Sequence, residues 1–248
     1  MSCYKEFAQI YDELIRPDID YKKWSSIILN ICKDKGLKNE CYLDLACGTG
    51  NITEEIGRAF KQVWAVDISH EMLTEAENKL RKSGVKARFV CQDICSLNLN
   101  KKFDLITCCL DSTNYILDSE DLTSYFKSVH DHLKDDGLFV FDINSYYKLT
   151  TILGNNMYKY EDDKVVYIWE NSIEDDIVDM YLNFFVKEGE LYRRFDEEHS
   201  ERAYREALIE RILKDIGFEI EKKLNNYEEK PISDTTERIV YVVRRLTK

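Results

Sequence analysis

The chain begins with two stretches in which apolar residues recur every three or four positions. This spacing places them on one face of an α-helix, so each stretch predicts an amphipathic helix. Gly36 follows the second stretch and predicts its end, because glycine readily adopts the left-handed conformation found after helices. The first stretch contains Tyr4, Phe7, Ala8, Tyr11, Leu14 and Ile15, and the second contains Tyr21, Trp24, Ile27, Ile28, Ile31 and Cys32.

Beyond residue 40 the pattern changes to short apolar runs that alternate with amphipathic segments. The runs predict five buried strands, at 41–46, 63–66, 87–91, 103–110 and 138–143. Three helices are predicted between them. The second would begin after Ser69, and the third after Asp118 or Ser119, which are favoured N-cap residues. Strands that alternate with helices predict βαβ units, and therefore a parallel sheet with right-handed crossovers.

The alternation of strands and helices stops at about residue 149. Between 149 and 198 the pattern predicts three strands without intervening helices, at 164–172, 177–187 and 191–198, with a hairpin turn at Glu188-Gly189. The segment 149–198 holds 13 acidic, 5 basic and nine aromatic residues. We interpret it as an antiparallel insertion with one face in water. A solvated outer face would explain its negative charge, and so would a cationic ligand.

A helix and two strands are predicted after the insertion. Gly217 would cap the helix, and the runs 218–224 and 238–246 would pair as an antiparallel hairpin. In the last run, Ile239, Tyr241 and Val243 alternate with Val240 and Val242. The predicted fold class is therefore α/β: a doubly wound, mostly parallel sheet that ends in an antiparallel hairpin and carries a small antiparallel β insertion.

The composition is that of a globular protein. With 248 residues, of which 44% are apolar and 33% charged, we expect a single domain over 1–248 with an N-terminal helical cap at 1–36. Lys and Arg number 35 and Asp and Glu 47, for a net charge of −12. Such an acidic surface repels phosphate backbones, so we expect no nucleic-acid partner.

No apolar run approaches the ~20 residues that cross a bilayer, and the first residues lack the apolar core of a signal peptide. We therefore expect a cytoplasmic protein without a membrane partner, as a monomer or homodimer.

Eight cysteines raise the question of disulfides or a metal. The sequence contains no C-x-x-C pair and no Cys/His cluster with zinc spacing. Most of the cysteines lie in apolar, strand-like runs, where a free thiol behaves as a small hydrophobic group. We therefore expect reduced core thiols and no metal site.

A glycine-containing turn is the clearest functional signal. The segment Leu43-Asp44-Leu45-Ala46-Cys47-Gly48-Thr49-Gly50 runs from a predicted strand into a predicted helix. Gly48 and Gly50 would allow a tight turn and a close approach of the backbone to a ligand. A third glycine at position 53 would complete the dinucleotide motif G-x-G-x-x-G, but Thr53 stands there. The loop is therefore expected to face a ligand that need not present a pyrophosphate.

Two acidic residues end the next strands. Asp67 ends the second strand, and Asp93 follows the third. The carboxyl ends of adjacent parallel strands line one crevice, where Asp67 could accept hydrogen bonds from both hydroxyls of a ribose and Asp93 from an adenine amine. Asp67 could instead cap the following helix, although Ser69 already offers that cap, and Asp93 could be a simple turn residue.

Together these motifs resemble those of the class I S-adenosylmethionine-dependent methyltransferases. The resemblance rests on Asp44-x-x-Cys47-Gly48-Thr49-Gly50, then Asp67, Asp93 and Phe103-Asp104-Leu105-Ile106, and it extends over essentially the whole chain. It implies a seven-stranded sheet and S-adenosylmethionine as the cofactor. It also implies a set of cofactor-binding residues: Tyr11, Asp44, Ala46, Cys47, Gly48, Thr49, Gly50, Asp67, Ile68, Met72, Asp93, Ile94, Leu110 and Asp111.

Within that set the resemblance implies a division of roles. Residues Ala46 to Gly50 would wrap the methionine part of the cofactor, and Asp67 would bind its ribose. Asp93 and Ile94 would contact the adenine, and Leu110 and Asp111 would face the amino-acid end. Met72 would pack near the adenine, although filling the core is an equally good role for it.

The N-terminal motif Phe7-Ala8-x-x-Tyr11-Asp12-x-Leu14 and the insertion are similar to a small-molecule branch of the family. This branch includes sugar-amine and glycine-type N-methyltransferases. In such enzymes the early tyrosine, here Tyr11, folds over the cofactor, and we also consider it for catalysis. The resemblance implies a small-molecule acceptor, and we expect it to be an amine, which needs only its lone pair and a destination for a proton.

Four further residues are candidates on the acceptor side. His199 lies where the insertion re-enters the core and could be catalytic or a buried, satisfied hinge residue. Asp142 and Asn144 end the fifth strand and Tyr115 follows the fourth, so all three could hold the acceptor. His130 and His132 lie off the apolar stripe of their helix and are expected to be solvated.

Three alternatives stay open at this level. The same fold serves methyltransferases that act on proteins or RNA, although the sequence lacks a basic patch and a Pro-Pro-Tyr-type base-flipping motif after strand four. An NAD-dependent oxidoreductase would need the third glycine. A non-catalytic protein could also keep the cofactor fold.

Overall fold

The computed structural model describes residues 19–246. The first predicted helical stretch, with Tyr11, lies outside the described residues. The five α-helices are α1 (Tyr21–Asp34), α2 (Asn51–Gly57), α3 (His70–Ser83), α4 (Ser119–His132) and α5 (Glu206–Ile216). The strands are β1 (Cys41–Leu45), β2 (Gln62–Asp67), β3 (Ala87–Cys91), β4 (Phe103–Cys108), β5 (Leu133–Asn144), β6 (Met157–Glu161), β7 (Val165–Glu174), β8 (Ile177–Glu188), β9 (Leu191–Arg202), β10 (Phe218–Asn225) and β11 (Arg238–Arg245).

Seven strands form the main sheet, in the order β3-β2-β1-β4-β5-β11-β10. The first five are parallel to one another, and β11 pairs antiparallel with both β5 and β10. The order reverses direction at β1 and β4, so the crevice at the carboxyl ends of these strands is the expected ligand site. The predicted fold class is confirmed.

The core lies on both faces of the main sheet. On β11, Tyr241 packs with α4 and α5, whereas its neighbour Val240 packs with α1 and α2. Successive side chains of a strand point to opposite faces, so this division follows from the sequence alternation. The strand is therefore buried on both of its faces.

The other four strands form a separate antiparallel sheet in the order β6-β7-β8-β9. The predicted strands are present, but β9 runs on to Arg202, and β6 was not predicted. The hairpin turn consists of Gly189 and Glu190, since Glu188 pairs with Leu191 in the ladder. Gly189 has φ +66°, which glycine adopts without strain. On one face of this sheet, Phe184 stacks on Phe195 with ring centroids 4.9 Å apart, and Met72 of α3 packs against that face.

The helix ends follow the predicted capping chemistry, with one choice resolved. Ser69 accepts a hydrogen bond from Met72 N at 3.2 Å, and Gly217 caps α5 with φ +102°. Asp118, and not Ser119, caps α4.

The predicted solvation of His132 is wrong: it is 8% exposed and accepts a hydrogen bond from Leu99 N at 3.0 Å. No helix within residues 19–246 is both long enough and apolar enough to span a membrane.

Gly50 is required by packing as well as by backbone conformation. Its φ is +79°, and a Cβ there would lie 2.9 Å from Leu80 Cδ1 and 3.1 Å from Ala76 Cβ. Gly84 offers a matched control, because its φ is +78° and a Cβ would meet nothing within 4 Å.

Gly50→Ala should therefore destabilise the protein more than Gly84→Ala. Both variants incur the left-handed backbone penalty of about 1–2 kcal/mol, and the clash adds roughly 1–3 kcal/mol only at position 50. Urea unfolding of both variants measures the difference. Equal losses of stability would show that the turn is not packed against α3.

Candidate active site

A cavity of about 830 Å³ lies at the carboxyl ends of the parallel strands. Its floor consists of the loops after β1, β2, β3 and β4, and the antiparallel sheet contributes side chains from β7, β8 and β9 to its other side. This volume is within the range of about 300–1,000 Å³ typical of small-molecule sites.

The glycine turn lines one side of the cavity. Ala46, Gly48 and Gly50 all have left-handed backbones, with φ of +49°, +53° and +79°. A Cβ on Gly48 would meet no protein atom within 4 Å, because this glycine borders the cavity. Cys47 and Thr49 also line the cavity, whereas Gly50 does not and packs on α3 instead. Gly50, which was expected to contact a cofactor, is therefore not part of the cavity lining. Its left-handed backbone shapes the turn instead.

Asp67 joins the turn to the end of β2. Its Oδ2 accepts a hydrogen bond from Gly48 N at 2.8 Å, and its Oδ1 accepts one from Ser69 N at 2.9 Å. Burial raises the pKa of Asp67, although these backbone donors oppose the shift. The carboxylate lines the cavity, so it fixes the loop and also presents acceptor lone pairs to a ligand.

Asp44, a buried residue of β1, fixes the turn from the interior of the protein. Its carboxylate accepts hydrogen bonds from the hydroxyls of Thr53, at 2.5 Å, and Thr107, at 2.7 Å. Burial raises its pKa to about 6 against these donors. Thr53 stands where a dinucleotide motif would have its third glycine. Its completely buried hydroxyl serves the interior of the turn, so the departure from the motif has a structural reason.

The residues expected near an adenine lie together beside the turn. Ile68, Asp93 and Ile94 line the cavity, and Ile68 is 67% exposed. Asp93 also caps a short 3₁₀ turn by accepting from Cys95 N at 2.8 Å. Met72 lines the cavity and also packs against Phe184, so both roles considered for it are compatible with the structure.

Leu110 and Asp111 follow β4 and have left-handed backbones, with φ of +60° and +53°. Their backbone amides donate to the carboxylate of Asp142 at 2.9 and 2.8 Å. Asp142 also accepts from the Tyr227 hydroxyl at 2.6 Å and from the Arg238 guanidinium. Two successive non-glycine residues in this conformation are strained, and Asp142 holds them in place.

Asp142, expected as an acceptor-binding residue, is placed away from the cavity in this structure. Its side chain is completely buried, it does not line the cavity, and its oxygens are engaged by the four donors above. Asp142 is therefore a positioning residue for the loop after β4. Asn144, two residues further on, does line the cavity, and its Nδ2 donates to Glu201 Oε2 at 2.8 Å.

A charged cluster around Asp111 was not found by sequence reasoning. Arg238 donates to Asp111 at 2.7 Å, and Lys148 donates to Asn144 Oδ1 at 2.9 Å. Together with Asn144 and Glu201, these residues line the end of the cavity beyond β4 and β5. One signal was available for Glu201: it is two residues from His199, so in a strand both point to the same face.

The antiparallel sheet supplies an aromatic and apolar wall. Tyr167 is paired with Phe184, and Trp169 with Leu182, so these side chains share one face, and all four line the cavity. His199 on β9 continues this face, as the partner of Met180. Burial lowers the pKa of His199, against the charge of Asp111, and so favours its neutral imidazole. Its ring meets that of Tyr115 edge-on, with centroids 5.9 Å apart, and both residues line the cavity.

Comparison with known proteins identifies the family. The methyltransferase domain family matches residues 43–137. The structure of an S-adenosylmethionine-dependent methyltransferase from Clostridium acetobutylicum ATCC 824 has a TM-score of 0.94 and 59% identity, covering 99% of this chain and 100% of that chain. The protein YqeM of Bacillus subtilis (strain 168) is 31% identical over 245 residues, 98% of this chain and 97% of its own length. A dTDP-3-amino-3,4,6-trideoxy-alpha-D-glucopyranose N,N-dimethyltransferase from Streptomyces venezuelae is 26% identical over 136 residues, 54% of this chain and 56% of its own length.

The chain therefore belongs to the S-adenosylmethionine-dependent methyltransferases. The expected cofactor and enzyme class are confirmed, and the oxidoreductase alternative falls away.

Asp142→Asn should strongly destabilise the protein, because it leaves Arg238 buried with one ionised partner fewer. Loss of one member of a buried ion pair typically costs about 3–5 kcal/mol. The same substitution at Asp135, which is exposed and paired with Arg245 at 2.9 Å, should change the stability little, since surface pairs contribute little. Urea unfolding of both variants tests this, and similar values for the two would refute the positioning role of Asp142.

Proposed function

We propose that this methyltransferase acts on the amino group of a small molecule. The observation that carries the proposal is that one face of the antiparallel sheet presents both an aromatic wall and a buried carboxyl group to the cavity. Tyr167, Trp169 and Phe184 form the wall, and Glu201 lies on the neighbouring strand β9. Aromatic faces and carboxylates both attract ammonium groups.

The cofactor would occupy the part of the cavity beside the glycine turn. The open space at Gly48 admits a ligand close to the backbone, and Ala46 to Thr49 would surround its methionine part. Asp67 would accept hydrogen bonds from the ribose, and Ile68, Asp93 and Ile94 would contact the adenine. When bound, the cofactor supplies an electrophilic methyl group. The chain's task is then to orient the acceptor in line with that group and to exclude water.

Three further observations support a small amine as the acceptor. The antiparallel sheet forms one side of the cavity, which limits the space for a folded protein or an RNA helix. The relative from Streptomyces venezuelae is named for an amino sugar as its acceptor. The net charge of −12 favours a cationic acceptor over an anionic one.

The proposal is tested by transfer of a labelled methyl group to a metabolite extract, half of which has been treated with acetic anhydride in water. This reagent blocks amino groups and leaves most hydroxyls free. We expect labelled product from the untreated half and a loss of labelling from the treated half, with mass analysis to identify the product. Equal labelling of both halves would contradict an amine acceptor.

We further propose that the antiparallel sheet, within the segment 149–198 and its continuation to Arg202, acts as a lid over the acceptor. Trp169 on its inner face lines the cavity, whereas Tyr181 is 43% exposed and lies outside the lining. Trp169→Ala should lower the rate of transfer about 10- to 100-fold, because the acceptor loses its alignment, while the cofactor affinity stays within a few-fold. Tyr181→Ala is the matched control and should leave both unchanged. A Trp169→Ala enzyme with the wild-type rate would argue against a lid.

A further inference from the structure

Five ionisable groups are packed at the acceptor end of the cavity. They are two cations, Arg238 and Lys148, and three acids, Asp111, Asp142 and Glu201. Arg238 donates to both aspartates, so its charge and that of Lys148 balance these two carboxylates. Glu201 is left without a matching cation among these groups, although it is only 3% exposed.

The surroundings of Glu201 favour its protonated form. Asn144 donates to its Oε2 at 2.8 Å, and the negative charge of Asp111 acts on it. Two neighbouring carboxyl groups resist carrying a negative charge together, which favours a proton on one of them. Burial, followed by the negative charge of Asp111, raises the pKa of Glu201 to about 8, while Lys148 and Arg238 oppose the shift.

The pKa values of Asp111, His199 and Lys148, which lie near Glu201, are lowered instead. The cations Arg238 and Lys148 lower the pKa of Asp111 against the effect of burial, and burial lowers the pKa of His199, which lies on the same strand. Burial and the repulsion by Arg238 also lower the pKa of Lys148, although Asp111, Glu201 and Glu237 oppose this. Among these groups, Glu201 combines a position at the cavity wall with a high affinity for a proton.

We propose that Glu201 binds the amino group of the acceptor and removes its proton before methyl transfer. This inference rests on the proposed function and names the residue that would recognise a primary or secondary amine. The acceptor would enter as an ammonium ion, and its positive charge would supply the missing partner of the Glu201 carboxylate.

The proton balance follows from this assignment. Glu201 carries a proton in the free enzyme at neutral pH, and it releases this proton to solvent when the ammonium ion binds. The carboxylate then takes one proton from the ammonium nitrogen, which frees the nitrogen lone pair. That pair forms the bond to the methyl carbon as the carbon–sulfur bond of the cofactor breaks. The electrons of the broken carbon–sulfur bond remain on sulfur.

The inference can be tested without methyl transfer, with benzylamine as the probe and S-adenosylhomocysteine in the cofactor site. Benzylamine carries one amino group and one ring for the aromatic wall, and benzyl alcohol is its uncharged counterpart. Infrared difference spectra at neutral pH should show that benzylamine, and not benzyl alcohol, converts one carboxylic acid into a carboxylate. Glu201→Gln should abolish this change and weaken benzylamine binding roughly 10- to 150-fold by calorimetry.

Glu198→Gln is the matched control, because Glu198 lies on the same strand but is exposed on its other face; it should behave as wild type. The proposal is overturned if benzylamine does not bind, if it leaves the acid band unchanged, or if Glu201→Gln binds it as wild type does. Failure of the proposed function would be distinct, since it would appear as labelling that acetylation of the extract does not prevent.

Discussion

Buried carboxylates that accept backbone hydrogen bonds hold the loops at the carboxyl ends of the parallel strands. Asp67 accepts from Gly48 N and Ser69 N, and Asp142 accepts from Leu110 N and Asp111 N. These amides lie beyond the ends of the strand ladders, and a buried amide without a partner would cost about 1–3 kcal/mol. The left-handed residues that line the cavity are therefore fixed before any ligand binds, which reduces the cost of ordering the site.

The two halves of the cavity differ in how they are stabilised. The turn after β1 depends mainly on nearby residues, with Asp44, Thr53 and Asp67 within one βαβ unit, and on Thr107 of β4, which donates to Asp44. The acceptor half instead combines distant parts of the chain: Asp142 on β5, Tyr227 and Arg238 in the final hairpin, and Glu201 on β9. The hairpin and the antiparallel sheet therefore complete the acceptor site as well as the fold.

This difference explains what the sequence could predict. The glycine turn, Asp67 and the capping residue Ser69 were predicted because their roles follow from residues close to them in the chain. Glu201 was missed because its environment is set by partners from β4, β5 and β11. Asp142 was correctly placed at the end of β5, but the direction of its side chain depends on Arg238 and Tyr227. Strand β6 was missed because it is a short, largely exposed strand at the edge of the antiparallel sheet. Its sequence therefore does not alternate between buried apolar and exposed polar residues.

The Asp67 carboxylate fixes the glycine turn through its hydrogen bond from Gly48 N, and we propose that it also binds the cofactor. Calorimetric titration of S-adenosylmethionine into the Asp67→Asn protein tests this proposal. We expect binding weaker by roughly 10- to 150-fold. Ser69→Ala, which removes only the cap of α3, should cost about 0.5–2 kcal/mol of stability and leave the affinity unchanged. A folded Asp67→Asn protein that binds S-adenosylmethionine as tightly as wild type would show that Asp67 does not bind the cofactor.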